Sequence, residues 1–401
     1  MTVRIPPGEV EHHPHSFVDS SGRLLWWRGR LYRAIPPEGE SFLARLLDEG
    51  VLRELAGQGL LIETERADVE LDGYSLVLRH PTVPFVSYPN EWCPPMFKTA
   101  VLALLDLASE LAERGLALKD AHPWNLVYHG CRPVWVDVGS IVPDAAPGWS
   151  PAGEFVRFCL NPLLLMAGGA SRVARHLLPD YEGIGPSELG LVASGPLRRR
   201  AAAGLAARVS RDLPRGTGAR AGFFRDLRAR IADIAVPGEH AATTPGRPSD
   251  AAVRSLIEDL QPVSLLAVES PSSARIASRD GVPVVALDRD ESEVSALYGA
   301  ARAEELELLP LVMDFTLPTP SRGIAEHAQI AATRRLRCDL VVALGVVERI
   351  RADYGLAQGK ILEGLAAFAG RWVAVDGPVG ETAGFVPIRR DGGLTVLERR
   401  A

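Results

Sequence analysis

Leu118-Lys119-Asp120-Ala121-His122-Pro123-Trp124-Asn125, followed by an apolar run and then Val136-Asp137-Val138-Gly139-Ser140, is the stretch on which the chain turns. A carboxylate, an imidazole and an amide share one prolyl loop, and a short hairpin returns a second carboxylate beside them. That is the layout of a phosphotransferase catalytic loop followed by a metal-binding turn. Asp120 would accept or orient the proton of a nucleophile, Asn125 would hold the loop or a metal, and Asp137 the metal. The plainer reading is a turn in which Asp120 bonds backbone amides and Asn125 caps. The clustering of Asp, His and Asn ahead of a returning Asp favours function. His122 reads equally as a general base near neutral pH and as a donor that fixes the loop.

The flanking chain is built to deliver that loop. Pro94 and Pro95 open a helix at its first turn, where proline costs nothing. Phe97, Val101, Leu104, Leu105, Ala108, Leu111 and Ala112 mark its buried face as far as Gly115. Upstream, residues 24–28 and 30–35 flank Gly29 as a hairpin, 40–55 has helical periodicity, and 60–64 and 74–79 read as strands. Residues 1–15 read as a loose arm, with His12, His13 and His15 a solvated cluster rather than a metal site. Tyr88, Glu91 and Trp92 fall in an extended loop that would face the same cleft as Trp124; with Arg33 they are the candidate substrate-binding residues, while Tyr128 reads as core. The small lobe has no G-x-G-x-x-G loop, and Arg33 is the cation where a kinase strand carries lysine. Phosphates would lack their backbone cradle, so ATP-dependent transfer is a minor alternative.

Residues 154–168 and 192–234 read as helices with Arg- and Ala-rich polar faces, the run 198–200 being a solvated face. Residues 237–250 are rich in Pro, Gly, Ala and Thr and form the linker. Beyond them strands at 263–268, 282–288, 308–314, 339–344 and 371–376 alternate with helices at 292–303 and 361–369, and a hairpin over 384–389 and 394–399 closes the chain. The expected class is α/β: a small, mostly β lobe (1–80), a helical kinase-like lobe (81–236), the linker, and a doubly wound Rossmann-like domain (251–401).

Composition bounds the function. With 401 residues, 47% apolar and 23% charged, the chain is long enough for two or three cores. A net charge of −6 gives no reason to expect nucleic acid or an anionic membrane as partner. Cys93, Cys131, Cys159 and Cys338 show no C-x-x-C spacing, which fits a reducing cytoplasm, and no signal-like or spanning apolar run occurs.

Several motifs resemble one group of bacterial proteins. F-I-S-Y-P-x-E-W corresponds to residues 85–92, L-K-D-A-x-x-x-N to 118–125, F-I-D-x-x-S to 136–140, x-F-C to Phe158-Cys159, and P-L-x-L-M to 162–166. Further matches fall at 285–290, 309–314, 318–323 and 339–344, so the resemblance covers most of residues 16–376. The group is the nodulation-protein-like class I SAM-dependent methyltransferases, with a kinase-like N-terminal half and a Rossmann-like C-terminal half. The resemblance implies a D-x-G-x-x-x-G loop for SAM, with Asp288 on the ribose hydroxyls and Asp314 near the adenine. The chain departs from it: Leu265 stands for the acid, Ala267 and Pro271 for the glycines, and Glu348-Arg349 for a His-His pair. Side chains there obstruct the backbone's approach to a cofactor, and Pro271 removes a donor. Glu269 and Glu348 would form a new acidic site at the mouth of the sheet.

A retained polar loop beside a lost cofactor loop implies a repurposed enzyme that requires no cofactor, SAM being the one the resemblance suggests. Divergent actinobacterial members of the group include proteins of aziridine-forming pathways in azinomycin-like antibiotics. The resemblance thus implies specialised metabolism and an intramolecular displacement closing a small ring on a polar small molecule. The alternatives are a SAM-dependent methyltransferase and a non-catalytic partner in a hetero-oligomer.

Overall fold

Alternation builds the small lobe. The computed structural model describes residues 3–17, 20–192, 204–207, 209, 214, 216–240, 250–379, 384–391 and 393–400. Its first elements are β1 (Val3–Arg4), β2 (Glu11–His12), β3 (Arg23–Trp27), β4 (Arg30–Ile35), α1 (Pro37–Asp48), α2 (Val51–Gly57), β5 (Glu65–Arg66), β6 (Val69–Glu70) and β7 (Leu76–His80). Leu25, Trp27, Tyr32, Ala34 and Val77 point to one face and, with Ile5 and Leu71, bury a small core. Arg28 and Gly29, both with positive φ (48° and 70°), make the two-residue hairpin turn whose twist matches the strands. The sheet runs β2-β3-β4-β7-β5.

Three expectations change here. The helix expected over 40–55 is two helices, because Gly50 takes a left-handed conformation (φ 78°) between them. Residues 60–64 form no regular strand, although Leu60 and Ile62 exchange backbone hydrogen bonds with Trp135. The arm over 1–15 is not loose. β1 pairs with β6, β2 pairs with β3, and Ile5 is fully buried. Strand pairing and the single buried side chain of Ile5 bring this segment into the lobe.

The next elements are α3 (Pro94–Glu113), β8 (Leu116–Leu118), β9 (Leu126–His129), β10 (Arg132–Trp135), β11 (Ile141–Pro143), α4 (Ala152–Phe155), α5 (Asn161–Ala167), α6 (Ser171–Leu177), α7 (Pro186–Val192) and α8 (Thr217–Ala232). A π turn, Val156–Leu160, joins α4 to α5. The run 198–200 and most of the linker lie outside the described residues.

The C-terminal half holds α9 (Asp250–Leu260), β12 (Leu265–Val268), α10 (Pro271–Arg279), β13 (Val284–Asp288), α11 (Glu291–Ala303), β14 (Leu308–Val312), α12 (Ala332–Arg335), β15 (Cys338–Ala343), α13 (Val346–Tyr354), α14 (Gln358–Phe368), β16 (Ala369–Asp376), β17 (Phe385–Asp391) and β18 (Leu394–Arg399). Continuous apolar runs such as Leu265–Val268, buried on both faces, belong in a covered parallel sheet. The order β14-β13-β12-β15-β16-β18-β17 has five parallel strands and an antiparallel closing hairpin. The fold is α/β, with a β lobe, a helical kinase-like lobe and a methyltransferase-like doubly wound sheet. One buried cluster runs through both halves, so they share a core.

Candidate functional site

Two short antiparallel pairs create the site. β8 pairs with β11 and β9 with β10, which lays residues 119–125 beside 136–140. Lys119 N–H donates to Ser140 O (2.8 Å) and Val136 N–H to Asn125 O (2.9 Å). The structure thus brings Asp120, His122, Asn125 and Asp137 together, as the spacing predicts.

Their states differ. Asp120 is half-buried, and neither its carboxylate nor the Asn125 amide makes a side-chain hydrogen bond among the described residues. Burial raises the Asp120 pKa; His122 and Lys119 pull it down, and the charges of Glu154 and Asp137 push it up. Asp137 is committed. Its Oδ1 accepts from Gly139 N (3.2 Å) and from Arg33 Nη1 (3.0 Å), and the Arg33 Nη2 donates to Val136 O (3.3 Å). Both side chains are largely buried, at 13% and 14% exposure. Asp137, expected to hold a metal, and Arg33, expected to hold substrate, are thus bonded to each other instead. Burying either charge without the other would cost several kcal/mol, roughly 3–5.

Glu154, which no sequence signal marked, is the second acid of the loop. Its Oε2 accepts from Ala121 N (2.6 Å), and its Oε1 lies 3.7 Å from His122 Nε2. The π turn after it sets Phe158 edge-on to the His122 ring (6.3 Å) and Cys159 Sγ 3.5 Å from Ala121 O. His122 Nδ1 is buried without a hydrogen-bond partner. Nδ1 thus makes no donation to a carbonyl of the kind that would fix the loop. π turns recur beside functional sites because the extra residue re-aims the side chains around it.

Tyr88, Glu91 and Trp92 do not face the cleft as expected. Trp92 is fully buried, with its indole N–H on Ser87 Oγ (2.9 Å). Glu91, 1% exposed, accepts from Tyr88 N and is ion-paired with Arg335 of the C-terminal half. Tyr88 OH accepts from Ile330 N (3.0 Å), and its ring lies 5.8 Å from that of Trp124. Burial pushes the Tyr88 pKa up to about 12. These residues join the halves. A polar loop looks open in a sequence when its partner lies elsewhere in the chain.

Two of the N-terminal histidines, His13 and His15, also pack inward, while His12 stays exposed. His15 Nε2 lies 3.4 Å from Tyr88 OH, and His13 Nδ1 accepts from His15 N (3.2 Å). Burial lowers the pKa of His13 and of His15 to about 4, and that of His80 to about 3.

The carboxyl ends of β12, β13 and β14 form the mouth where this sheet type takes a nucleotide. Ala267 lies within β12, and Pro271 opens α10 at a position that suits proline. The tight turn falls on Glu269, whose φ of 49° is in the region that favours glycine. Its carboxylate pairs with Arg349 (2.6 Å) on α13. Arg349 and Arg289 share Asp353 (3.2 Å each), Arg289 reaches Tyr354 OH (3.2 Å), and Tyr354 OH lies 3.4 Å from Asp314 Oδ2. Asp288 and Asp314 cap their own turns, accepting from Asp290 N (2.9 Å) and Thr316 N (2.8 Å). Burial, reinforced by nearby acids, pushes the Asp288 pKa up to about 6. At the mouth, Glu269, Arg349, Asp353, Arg289, Tyr354 and Asp314 thus form one chain of side-chain contacts.

The sheet order is that of a methyltransferase-like doubly wound fold, joined to a kinase-like N-terminal half. Nodulation protein NoeA of Rhizobium meliloti (strain 1021) is 32% identical over 165 residues, 40% of this chain and 34% of that protein, so the chain spans about a third of its relative's length. Among solved structures, the Mycobacterium tuberculosis PknI kinase domain aligns with a TM-score of 0.33 at 18% identity, over 58% of this chain and 98% of that one. An Escherichia coli rRNA methylase aligns at 0.30 and 13% identity, over 59% and 98%. No family model matches the chain.

Proposed function

We propose that the chain is an enzyme of methyltransferase-like fold whose chemistry runs at Asp120, without SAM, on a polar small molecule. The observation that carries this is a half-buried carboxylate of raised pKa that makes no side-chain hydrogen bond among the described residues, beside an Asn125 amide that makes none there either. Such a group is poised to take a proton. The reaction that suits it is an intramolecular displacement. An amine nitrogen forms a bond to a neighbouring carbon, the carbon–oxygen bond of an ester breaks, the anion leaves with the electron pair, and the nitrogen's proton passes to Asp120. Holding both groups in one bound conformer supplies the proximity that a second reactant would otherwise provide. The ring-closing form, and a place in specialised metabolism, are part of this proposal.

A panel of 2-aminoalkyl sulfate and phosphate esters tests the reaction, with loss of the anion followed by mass spectrometry. Turnover that falls by about 10² or more in Asp120→Asn is expected from the loss of a general base; full turnover in that variant removes Asp120 from the site. A second reading, methyl transfer from SAM, is favoured only by the retained position of Asp288 and Asp314 at the strand ends. Titration calorimetry with SAM and S-adenosylhomocysteine separates the two. No heat at millimolar ligand is expected, and binding would replace the displacement with methyl transfer.

A further inference from the structure

We propose that Arg335 is a positioning residue for the Asp120 loop, so that the C-terminal half sets the geometry of a site to which it contributes no reacting group. This rests on the reading of the Asp120 loop as the site of reaction. Arg335 closes α12, on the far side of the linker from the loop. Its side chain is 4% exposed and fully occupied: Nε donates to Ile330 O (3.0 Å), Nη1 to Val86 O, and Nη2 to Glu91. The guanidinium carbon lies 4.5 Å from the centre of the Tyr88 ring.

Tyr88 is therefore fixed at three points. Its backbone N–H is held by Glu91 Oε2 (2.9 Å), its hydroxyl by Ile330 N (3.0 Å), and its ring by Arg335. The same ring packs on Trp124, the residue before Asn125 in the turn Pro123–Asn125. Apolar residues of similar volume would serve a mere interface as well as a buried ion pair does, and often better. What the pair adds is one orientation for Tyr88, and through it one for Trp124 and the turn that carries Asn125.

The test uses the full chain and needs no substrate. Protein labelled with 5-fluorotryptophan gives a Trp124 resonance, assigned by its loss in Trp124→Phe. The double variant Glu91→Gln/Arg335→Met removes both charges and so leaves no unpaired ion. It should shift and broaden the Trp124 line and raise amide exchange over 119–126 about tenfold, with exchange in β12 and β13 unchanged. Arg335→Lys, which keeps the charge but loses the planar fork, should give a smaller shift in the same direction. An unchanged Trp124 line and loop exchange in the folded double variant overturns the proposal. If the double variant does not fold, Tyr88→Phe, which removes the hydroxyl that meets Ile330 N and His15 Nε2, must still move the Trp124 line; no movement overturns it equally. Because these readouts are independent of turnover, they can fail while Asp120 remains the reacting group.

Discussion

Among the described residues the Asp120 carboxylate makes no side-chain hydrogen bond, and the proposed chemistry rests on that. Its raised pKa has two consequences of opposite value to the protein. In activity, a base must be ionised, so the acid limb of the pH–rate profile should lie above the usual carboxylate range. Glu154→Gln keeps an acceptor for Ala121 N but removes a charge that raises Asp120, so the limb should move down in pH. In stability, a folded-state pKa above the unfolded one contributes stability below the unfolded pKa, and that contribution is lost as pH rises through the folded one. At neutral pH Asp120 therefore contributes none, and Asp120→Asn should leave the melting temperature unchanged or raise it while activity falls. A clear drop in melting temperature would mean that Asp120 holds the loop. Residue types made Asp120, Asn125 and Asp137 legible in the sequence. Commitment was not, because the Arg33 that neutralises Asp137 lies 104 positions away.

At the scale of elements, periodicity revealed what it could. The C-terminal strands stood out as Val-, Leu- and Ala-rich runs, whereas α10, reading PSSARIASR, has too few apolar residues to announce itself. The N-terminal segment was missed for a different reason: its strands are two residues long, and only the pairing partners reveal them. That segment and β7 together carry a pH dependence. His13, His15 and His80 are held below their ordinary pKa by burial, so the unfolded chain binds protons that the folded one refuses. The stability this gives is complete above about pH 6.5 and is lost as pH falls through the folded values near 4 and 3. Melting temperature should fall on going from pH 7 to 4.5, by roughly 5 °C or more. In His80→Phe, scanned by fluorimetry, the slope should be shallower. At the mouth of the sheet, Glu269→Gly would relieve a left-handed backbone worth about 1 kcal/mol but leave Arg349 with Asp353 alone. The two effects should nearly cancel in the denaturation midpoint.

The whole molecule is continuous across its linker. One apolar cluster spans both halves, and the buried pair Glu91–Arg335 ties them. Scanning calorimetry should show a single endotherm, not one per half. Breaking the pair from one side is the severe case: Glu91→Ala leaves Arg335 charged and buried, a loss of about 3–5 kcal/mol to be read from the denaturant midpoint. No described helix is long and apolar enough to cross a membrane. The two-part architecture was legible because each half has its own periodicity. Their union was not, since a linker rich in Pro and Gly looks the same whether or not the domains beyond it touch.

Glu91 and Arg335 are 244 positions apart, and a ribosome adds about 5–20 residues per second. Glu91 is thus made on the order of ten to fifty seconds before its cation exists. Throughout that interval the kinase-like half has a carboxylate that it cannot enclose without a partner, and a face of its core that nothing covers. The newborn N-terminal half must wait, open at Tyr88, until α12 emerges. A segment made late thus supplies the contacts that hold a loop made early, and a chain released before residue 335 lacks them.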